Sequence, residues 1–187
     1  MPALIKLPRL PALLIALLFH APALADEHVA EPADYRMEEY RAPVPQTLRG
    51  ARVVTTEEAA ALLSQKQAIF FDVMPHTPKP AKLPAGTIWR EKIRTNIPGS
   101  VWLPNVGYGA ISEADTEYFR ASLALQTGGN VNRKILFYCM TNCWMSWNAA
   151  KRAIEWGYSD VVWYPLGADG WAADQRPLAQ AEPFAVK

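Results

Sequence analysis

The chain has 187 residues, of which half are hydrophobic, and 19 lysines and arginines stand against 18 aspartates and glutamates. Such a balance gives no general attraction to nucleic acid or to an anionic membrane surface, and the length suits one ordinary core rather than two. Only two cysteines and three histidines are available for thiol or metal chemistry.

The chain opens with Lys6 and Arg9, an apolar run over 13–19, and the small residues Ala23-Leu24-Ala25. This pattern predicts a signal peptide cleaved after Ala25, hence export to a bacterial periplasm. The run is too short to span a bilayer comfortably, so no membrane insertion is expected after its removal. Residues 26–50 are polar, hold several prolines and show no sustained period; they read as an N-terminal arm that drapes over a domain formed by 51–187.

Within that domain, Thr55 and Glu58 make a capping box that opens a helix through Leu63. A strand follows over 68–73, then a Pro-rich loop, a short strand at 101–103, and a helix over 114–125. Lys134 to Tyr138 is an apolar run after Gly128-Gly129-Asn130 and reads as a strand buried on both faces. A helix over 146–156 carries Trp147, Ala150 and Ile154 on one stripe, leaves Lys151 and Arg152 outside it, and ends at Gly157. A last strand lies at 161–164. Apolar strands alternating with amphipathic helices predict an α/β fold, a parallel sheet with helices on both faces.

Both cysteines lie in Cys139-Met140-Thr141-Asn142-Cys143-Trp144, where the buried strand turns into the helix. In a parallel sheet ligands sit beyond the carboxyl ends of the strands, where Cys139 falls. Unpaired loop amides and the positive end of a helix dipole favour thiolate over thiol there. Outside the cytosol a cysteine pair is a disulfide by default. The pair therefore reads as a nucleophile (Cys139) with a resolving thiol (Cys143), as a structural disulfide if the loop curls tightly, or as a grip on a ligand. Two cysteines without a neighbouring histidine do not complete a zinc site, and Trp144 stands where covalent haem attachment needs histidine, so no metal is expected.

Other candidates carry two readings each. Lys79, Lys82, Arg90, Lys92 and Arg94, countered only by Glu91, form a solvated basic linker or an anion-attracting rim beside the cysteines. Asp72 caps a neighbouring turn or orients the cysteine loop. Trp147, Trp156 and Trp163 sit at core phases. Trp144 either packs as a lid or offers a flat surface to an aromatic ligand, and Trp89 is the other candidate for an exposed aromatic.

The order of these motifs carries a resemblance. Phe70-Phe71-Asp72-Val73, then Asn96-Ile97-Pro98-Gly99-Ser100-Val101-Trp102-Leu103-Pro104, then strand, Cys139 loop and helix, then Gly157-Tyr158, Leu166-Gly167 and Trp171, resembles a rhodanese domain from about Val53 to Leu178. The resemblance implies a sulfurtransferase-like ancestry, with Cys139 at the position that carries a persulfide held by loop amides. The chain departs from the pattern where chemistry is decided. Met74 replaces a common arginine, Asn96 replaces the histidine of His-Ile-Pro-Gly, the interval from Asp72 to Asn96 is long, and the cysteine loop has no charge.

Cys139-x-x-x-Cys143-Trp144 on an exported domain of this type is also similar to the PQQ-dependent catabolism-associated CXXCW motif proteins. That resemblance implies an association with periplasmic alcohol oxidation by pyrroloquinoline quinone (PQQ) enzymes as partners. Two functions follow as expectations: persulfide or thiol–disulfide redox chemistry at Cys139 and Cys143, or non-catalytic binding of an anionic quinone such as PQQ by Trp144, Arg90, Lys92 and Arg94.

Overall fold

A computed structural model describes residues 29–186 apart from Pro78, Ala81 and Glu91. The leader predicted over 1–25, the predicted cleavage site and His28 lie outside the described residues. No helix among those described is long and apolar enough to cross a membrane.

In chain order the elements are β1 (Ala51–Val53), α1 (Thr56–Ser64), β2 (Ile69–Asp72), β3 (Arg94–Asn96), β4 (Val101–Trp102), α2 (Glu113–Thr127), β5 (Ile135–Tyr138), α3 (Trp144–Glu155), β6 (Val161–Tyr164), α4 (Gly167–Ala173) and β7 (Ala179–Ala181). Five strands form a sheet in the order β1-β6-β5-β2-β4, with every pairing parallel. The central β5 is buried at all four positions. Its alternating residues feed two cores, as a strand of period two must. Ile135 and Phe137 join Phe71, Val161 and Trp163 beneath α2 and α3, where Phe119, Leu123, Trp147 and Ala150 close the layer. Leu136 and Tyr138 join Phe70, Val162 and Tyr164 beneath α1 and α4, with Ala59, Leu62, Ala168 and Trp171.

Local chemistry accounts for the element ends. The Thr55 side chain accepts from the Glu58 amide and the Glu58 carboxylate accepts from the Thr55 amide, so the predicted capping box opens α1. Ser112 caps α2, and Gly128, at φ 63°, terminates it in the left-handed conformation. The antiparallel pair β3 and β7 stands apart from the main sheet and has no counterpart in the sequence reading. Both are three-residue segments, Arg-Thr-Asn and Ala-Gln-Ala, with no apolar alternation to announce them. Helix α4 was equally silent, because Gly167 and Gly170 weaken helical propensity over its seven residues.

Two expectations about α3 change. The helix begins at Trp144, two residues before the predicted start, with Cys143 as its N-cap. Arg152 is buried rather than on a solvated face. Its guanidinium donates to the carbonyls of Val106 at 3.0 Å, Tyr108 at 3.1 Å and Gly109 at 2.8 Å, and the Tyr35 ring covers it at 4.2 Å. Arg152 thereby fixes the 106–109 loop to α3.

The arm from 29 to 50 has no helix or strand, yet it is bonded to α3 along its length. Arg36 exchanges two backbone hydrogen bonds with the Asn148 amide, both 2.9 Å, and the Trp147 indole donates to the Thr47 carbonyl at 3.2 Å. Its backbone polar groups find their partners on the helix, as buried backbone requires.

Arg152→Leu leaves those three loop carbonyls without their donor at nearly unchanged apolar volume. At about 1 kcal/mol for each lost bond, the variant should lose about 3 kcal/mol of stability. Urea unfolding of the variant beside the wild type measures this.

Candidate active site at the end of β5

Cys139 follows directly on β5, and the chain turns back into α3 within the next four residues. Asn142, at φ 54°, takes the left-handed conformation that asparagine tolerates better than most residues, while Cys143 is extended at φ −123°. Met140 forms an isolated bridge with Gly167, and the Ala168 amide donates to the Cys139 carbonyl at 3.1 Å. The result is a tight curl in which Cys139 Sγ and Cys143 Sγ lie 2.7 Å apart. Both are unbonded thiols and both are buried. A disulfide bond is about 2.05 Å long, so the sulfurs need close by only about 0.7 Å to bond.

The two thiols have different surroundings. Cys143 is pushed down to about 7, first by the hydrogen bond from Cys139, with burial opposing. The Met145 amide at the start of α3 and the Arg41 guanidinium of the arm also favour its thiolate, although no capping hydrogen bond closes on the sulfur. Cys139 is pushed well up by burial, by its sharing with Cys143 and by the nearby Asp72 carboxylate. The thiolate therefore belongs on Cys143 and the proton on Cys139.

Beneath Cys139 lies a buried ion pair. Arg94 donates through Nε to Asp72 Oδ2 at 2.7 Å and through a terminal nitrogen to Oδ1 at 3.0 Å. The Met74 amide also donates to Asp72 Oδ1 at 3.0 Å. Asp72 thus caps the Met74 turn, as one reading expected, and holds Arg94 as well. Burial outweighs the guanidinium, and the carboxyl stands above its usual range. Tyr138 extends this polar floor, donating to Ser100 Oγ at 2.8 Å while accepting from the Ile97 amide at 3.0 Å. Asn96 is buried nearby, with its Nδ2 lacking a hydrogen-bond partner.

Several sequence expectations are corrected here. Two of the loop amides expected to cradle an anion at Cys139 are otherwise engaged: Thr141 donates to Asp169 Oδ2 at 3.2 Å, and Trp144 to the Tyr40 carbonyl at 2.9 Å. Trp144 offers no open face to a quinone. It is 2 % exposed, its indole donates to the Pro43 carbonyl at 3.0 Å, and its ring packs edge-on against Trp147. Arg94 is not a free rim cation, because Asp72 takes its guanidinium. Arg90 and Lys92 are exposed. Lys92 lines a cavity of about 200 Å³ with His76, Arg94, Trp102 and Glu182, apart from Trp144 and Arg90. Trp89 is half-buried rather than exposed. Trp144, Arg90, Lys92 and Arg94 do not come together as a pocket, so these residues do not fit PQQ.

The structure adds groups that the sequence did not single out for the site. Arg41 faces Cys143 from the arm, and Met74 Sδ lies 3.6 Å from Cys139 Sγ. Both come from distant segments whose return to this point carries no local pattern.

A parallel α/β sheet whose central strand ends in a cysteine that opens into a helix defines a thiol-bearing α/β domain. Residues 55–174 match the family model of the rhodanese-like domain. The chain belongs to the rhodanese-like domain family.

Solved structures similar to it include a thiosulfate sulfurtransferase from Pseudomonas aeruginosa, 15% identical, with a TM-score of 0.48, covering 74% of this chain and 22% of that one. This chain thus spans about a fifth of that protein's length. A human single-domain sulfurtransferase is 22% identical, with a TM-score of 0.41, covering 66% of this chain and 96% of that one. No curated protein sequence matches the chain.

Two substitutions test the geometry. Arg94→Met leaves the Asp72 carboxylate buried without its counter-charge and should cost about 3–5 kcal/mol. The variant's Asp72 pKa rises further above its unfolded value of about 4, so the native state holds a proton that the unfolded chain releases. Stability then falls as pH rises from about 4 up to the native pKa, by about 1.4 kcal/mol per unit. Urea midpoints of variant and wild type should lie closer at about pH 5 than at about pH 7.5.

Gly167 sits at φ +54°, and a Cβ there would meet Cys139 C and O and Met140 Cα at 2.7 Å, all backbone. Gly167→Ala should therefore cost at least about 2 kcal/mol and displace the cysteine curl. Unfolding curves and thiol reactivity of the folded variant would both report it.

Proposed function

We propose that this is an exported rhodanese-like protein whose Cys139/Cys143 pair works as a thiol–disulfide couple, acting in the periplasm beside PQQ-dependent alcohol-oxidation enzymes. The observation that carries the chemistry is the 2.7 Å separation of the two sulfurs in a buried curl. Export rests on the leader-like sequence around Lys6, Arg9 and Ala25, and the partner class on the Cys139-x-x-x-Cys143-Trp144 resemblance.

Persulfide transfer is the second reading, and the rhodanese-like family match supports it. The outer sulfur of a persulfide on Cys139 would stand about 2.05 Å from Cys139 Sγ. Cys143 Sγ lies in that neighbourhood at 2.7 Å and would have to turn aside, and the Thr141 and Trp144 amides are bonded to Asp169 and Tyr40.

The proposed reaction takes two steps. The Cys143 thiolate attacks one sulfur of a partner disulfide; a mixed disulfide forms, and the displaced partner thiolate takes up a proton. Cys139 then gives up its proton and attacks Cys143 Sγ, which breaks the mixed disulfide and releases the second partner thiolate. The chain ends oxidised by two electrons and the partner reduced by two, and the sequence runs equally in reverse. Here Cys143 attacks first and Cys139 resolves, opposite to the order expected from the sequence. Both sulfurs are buried, so exchange requires the surface turn at 140–142 or the covering arm to open.

Equilibration in graded thiol–disulfide buffers, followed by acid quench and intact-mass analysis, tests the proposal. A single two-electron transition between dithiol and disulfide is expected, abolished in Cys139→Ala and in Cys143→Ala. A chain that stays in the dithiol form across the whole range would overturn it. Alkylation of the reduced protein should rise about tenfold per pH unit and level off above about 7, reporting Cys143. In Cys139→Ala the lost hydrogen bond should move that inflection up, toward about 8.5.

A further inference from the structure

The softest atoms of the chain collect around the cysteine pair. Met74 Sδ lies 3.6 Å from Cys139 Sγ, which lies 2.7 Å from Cys143 Sγ. Met74, Met140 and Met145 all pack in the same core cluster as the two cysteines. The chain has five methionines, and three of them belong to this cluster, with Met74 in contact with Cys139. A core that needs only apolar volume is filled as well by leucine, with less side-chain freedom to lose.

The donors around this point are two thiols and a thioether. Asp72 is the nearby carboxylate, and its oxygens already accept from Arg94 and the Met74 amide. Among the described residues no group of three or more His, Cys, Asp and Glu side chains could hold a metal ion. Two thiolates with a thioether suit monovalent copper and not calcium or magnesium, and they do not complete the four-coordinate set of a structural zinc site.

From this convergence we propose that the reduced Cys139/Cys143 pair, with Met74 as third ligand, is a binding site for monovalent copper. The sequence reading expected no metal because it counted cysteines and histidines and left thioethers out.

The geometry needs one adjustment. Metal–sulfur bonds of about 2.3 Å place the sulfurs of a three-coordinate site about 4 Å apart. Met74 and Cys139 are near that separation already, at 3.6 Å. The two cysteine sulfurs must part by about 1.3 Å, a displacement within reach of a change in the Cys143 side-chain rotamer. Cys143 is the N-cap of α3 and makes no side-chain capping bond that would oppose it. On binding, one copper ion replaces the Cys139 proton and whatever proton Cys143 still holds, these leave to solvent, and no electron is transferred. Copper takes only the dithiol form, so metal binding and disulfide formation exclude one another at these sulfurs. The site does not depend on the redox reading.

The test uses the full chain, reduced and free of oxygen, titrated with monovalent copper against a colorimetric copper(I) chelator. The wild type should withdraw one equivalent, with a near-ultraviolet thiolate-to-copper absorption that stops rising at that point. Met74→Leu keeps the volume of the side chain and should hold copper at least about tenfold more weakly. Circular dichroism confirms that the variant is folded, and Cys143→Ala should take up none.

No withdrawal by the wild type, or undiminished affinity in folded Met74→Leu, would overturn the proposal. A chain that cycles through the disulfide but ignores copper refutes this site and leaves the redox couple standing. One that takes copper but never forms the disulfide does the reverse.

Discussion

The active end of the molecule depends on how sharply the chain reverses between β5 and α3. Five residues from Cys139 to Cys143 carry it from the carboxyl end of a buried strand to the first turn of a buried helix. Asn142 in the left-handed region makes the reversal, and Gly167, also left-handed, lies against the Cys139 carbonyl where no side chain fits. With that curl held, the two sulfurs are brought within 2.7 Å of each other. Their contact, their unequal affinity for a proton and their reach toward Met74 all follow from it.

What surrounds the curl engages two of its amides. The arm covers the start of α3 and takes the Trp144 amide with the Tyr40 carbonyl, while α4 supplies Asp169 to the Thr141 amide. Those two donors are thereby satisfied internally. Beneath, the Asp72–Arg94 pair places a negative charge closer to Cys139 than to Cys143. Arg41 and the start of α3 favour negative charge on Cys143. Burial then amplifies the difference, because a low-dielectric site magnifies each neighbouring charge. The thiolate is favoured on Cys143 and the proton on Cys139.

The architecture was legible in the sequence because its signals are periodic. Phe70 and Phe71, the run from Ile135 to Tyr138, and the stripe of Trp147, Ala150 and Ile154 each announce an element buried in a known direction. Thr55 with Glu58 marked a helix start through chemistry alone. The position of the cysteines at a strand end was legible for the same reason. Their contact was not, since a CxxxC spacing is equally compatible with sulfurs held apart along a helix. Nor was the fate of the charges. Arg94 reads as one of five cations in a basic loop, and only the fold brings it back onto Asp72, 22 residues earlier. Arg152 misled for a related reason: charged residues are rarely buried without a carboxylate partner, yet three loop carbonyls suffice here. Trp144 reads as a loop aromatic until the arm is seen to close over it.

In the proposed function, Cys139 and Cys143 alternate between dithiol and disulfide in the cell rather than carrying sulfur. The most direct measurement is the intact mass of protein isolated without reductant, acid-quenched and alkylated, with and without prior treatment by cyanide. The account predicts molecules two hydrogens lighter than the dithiol, refractory to alkylation until a reductant is added and unchanged by cyanide. A mass heavier by one sulfur atom that cyanide removes would contradict it.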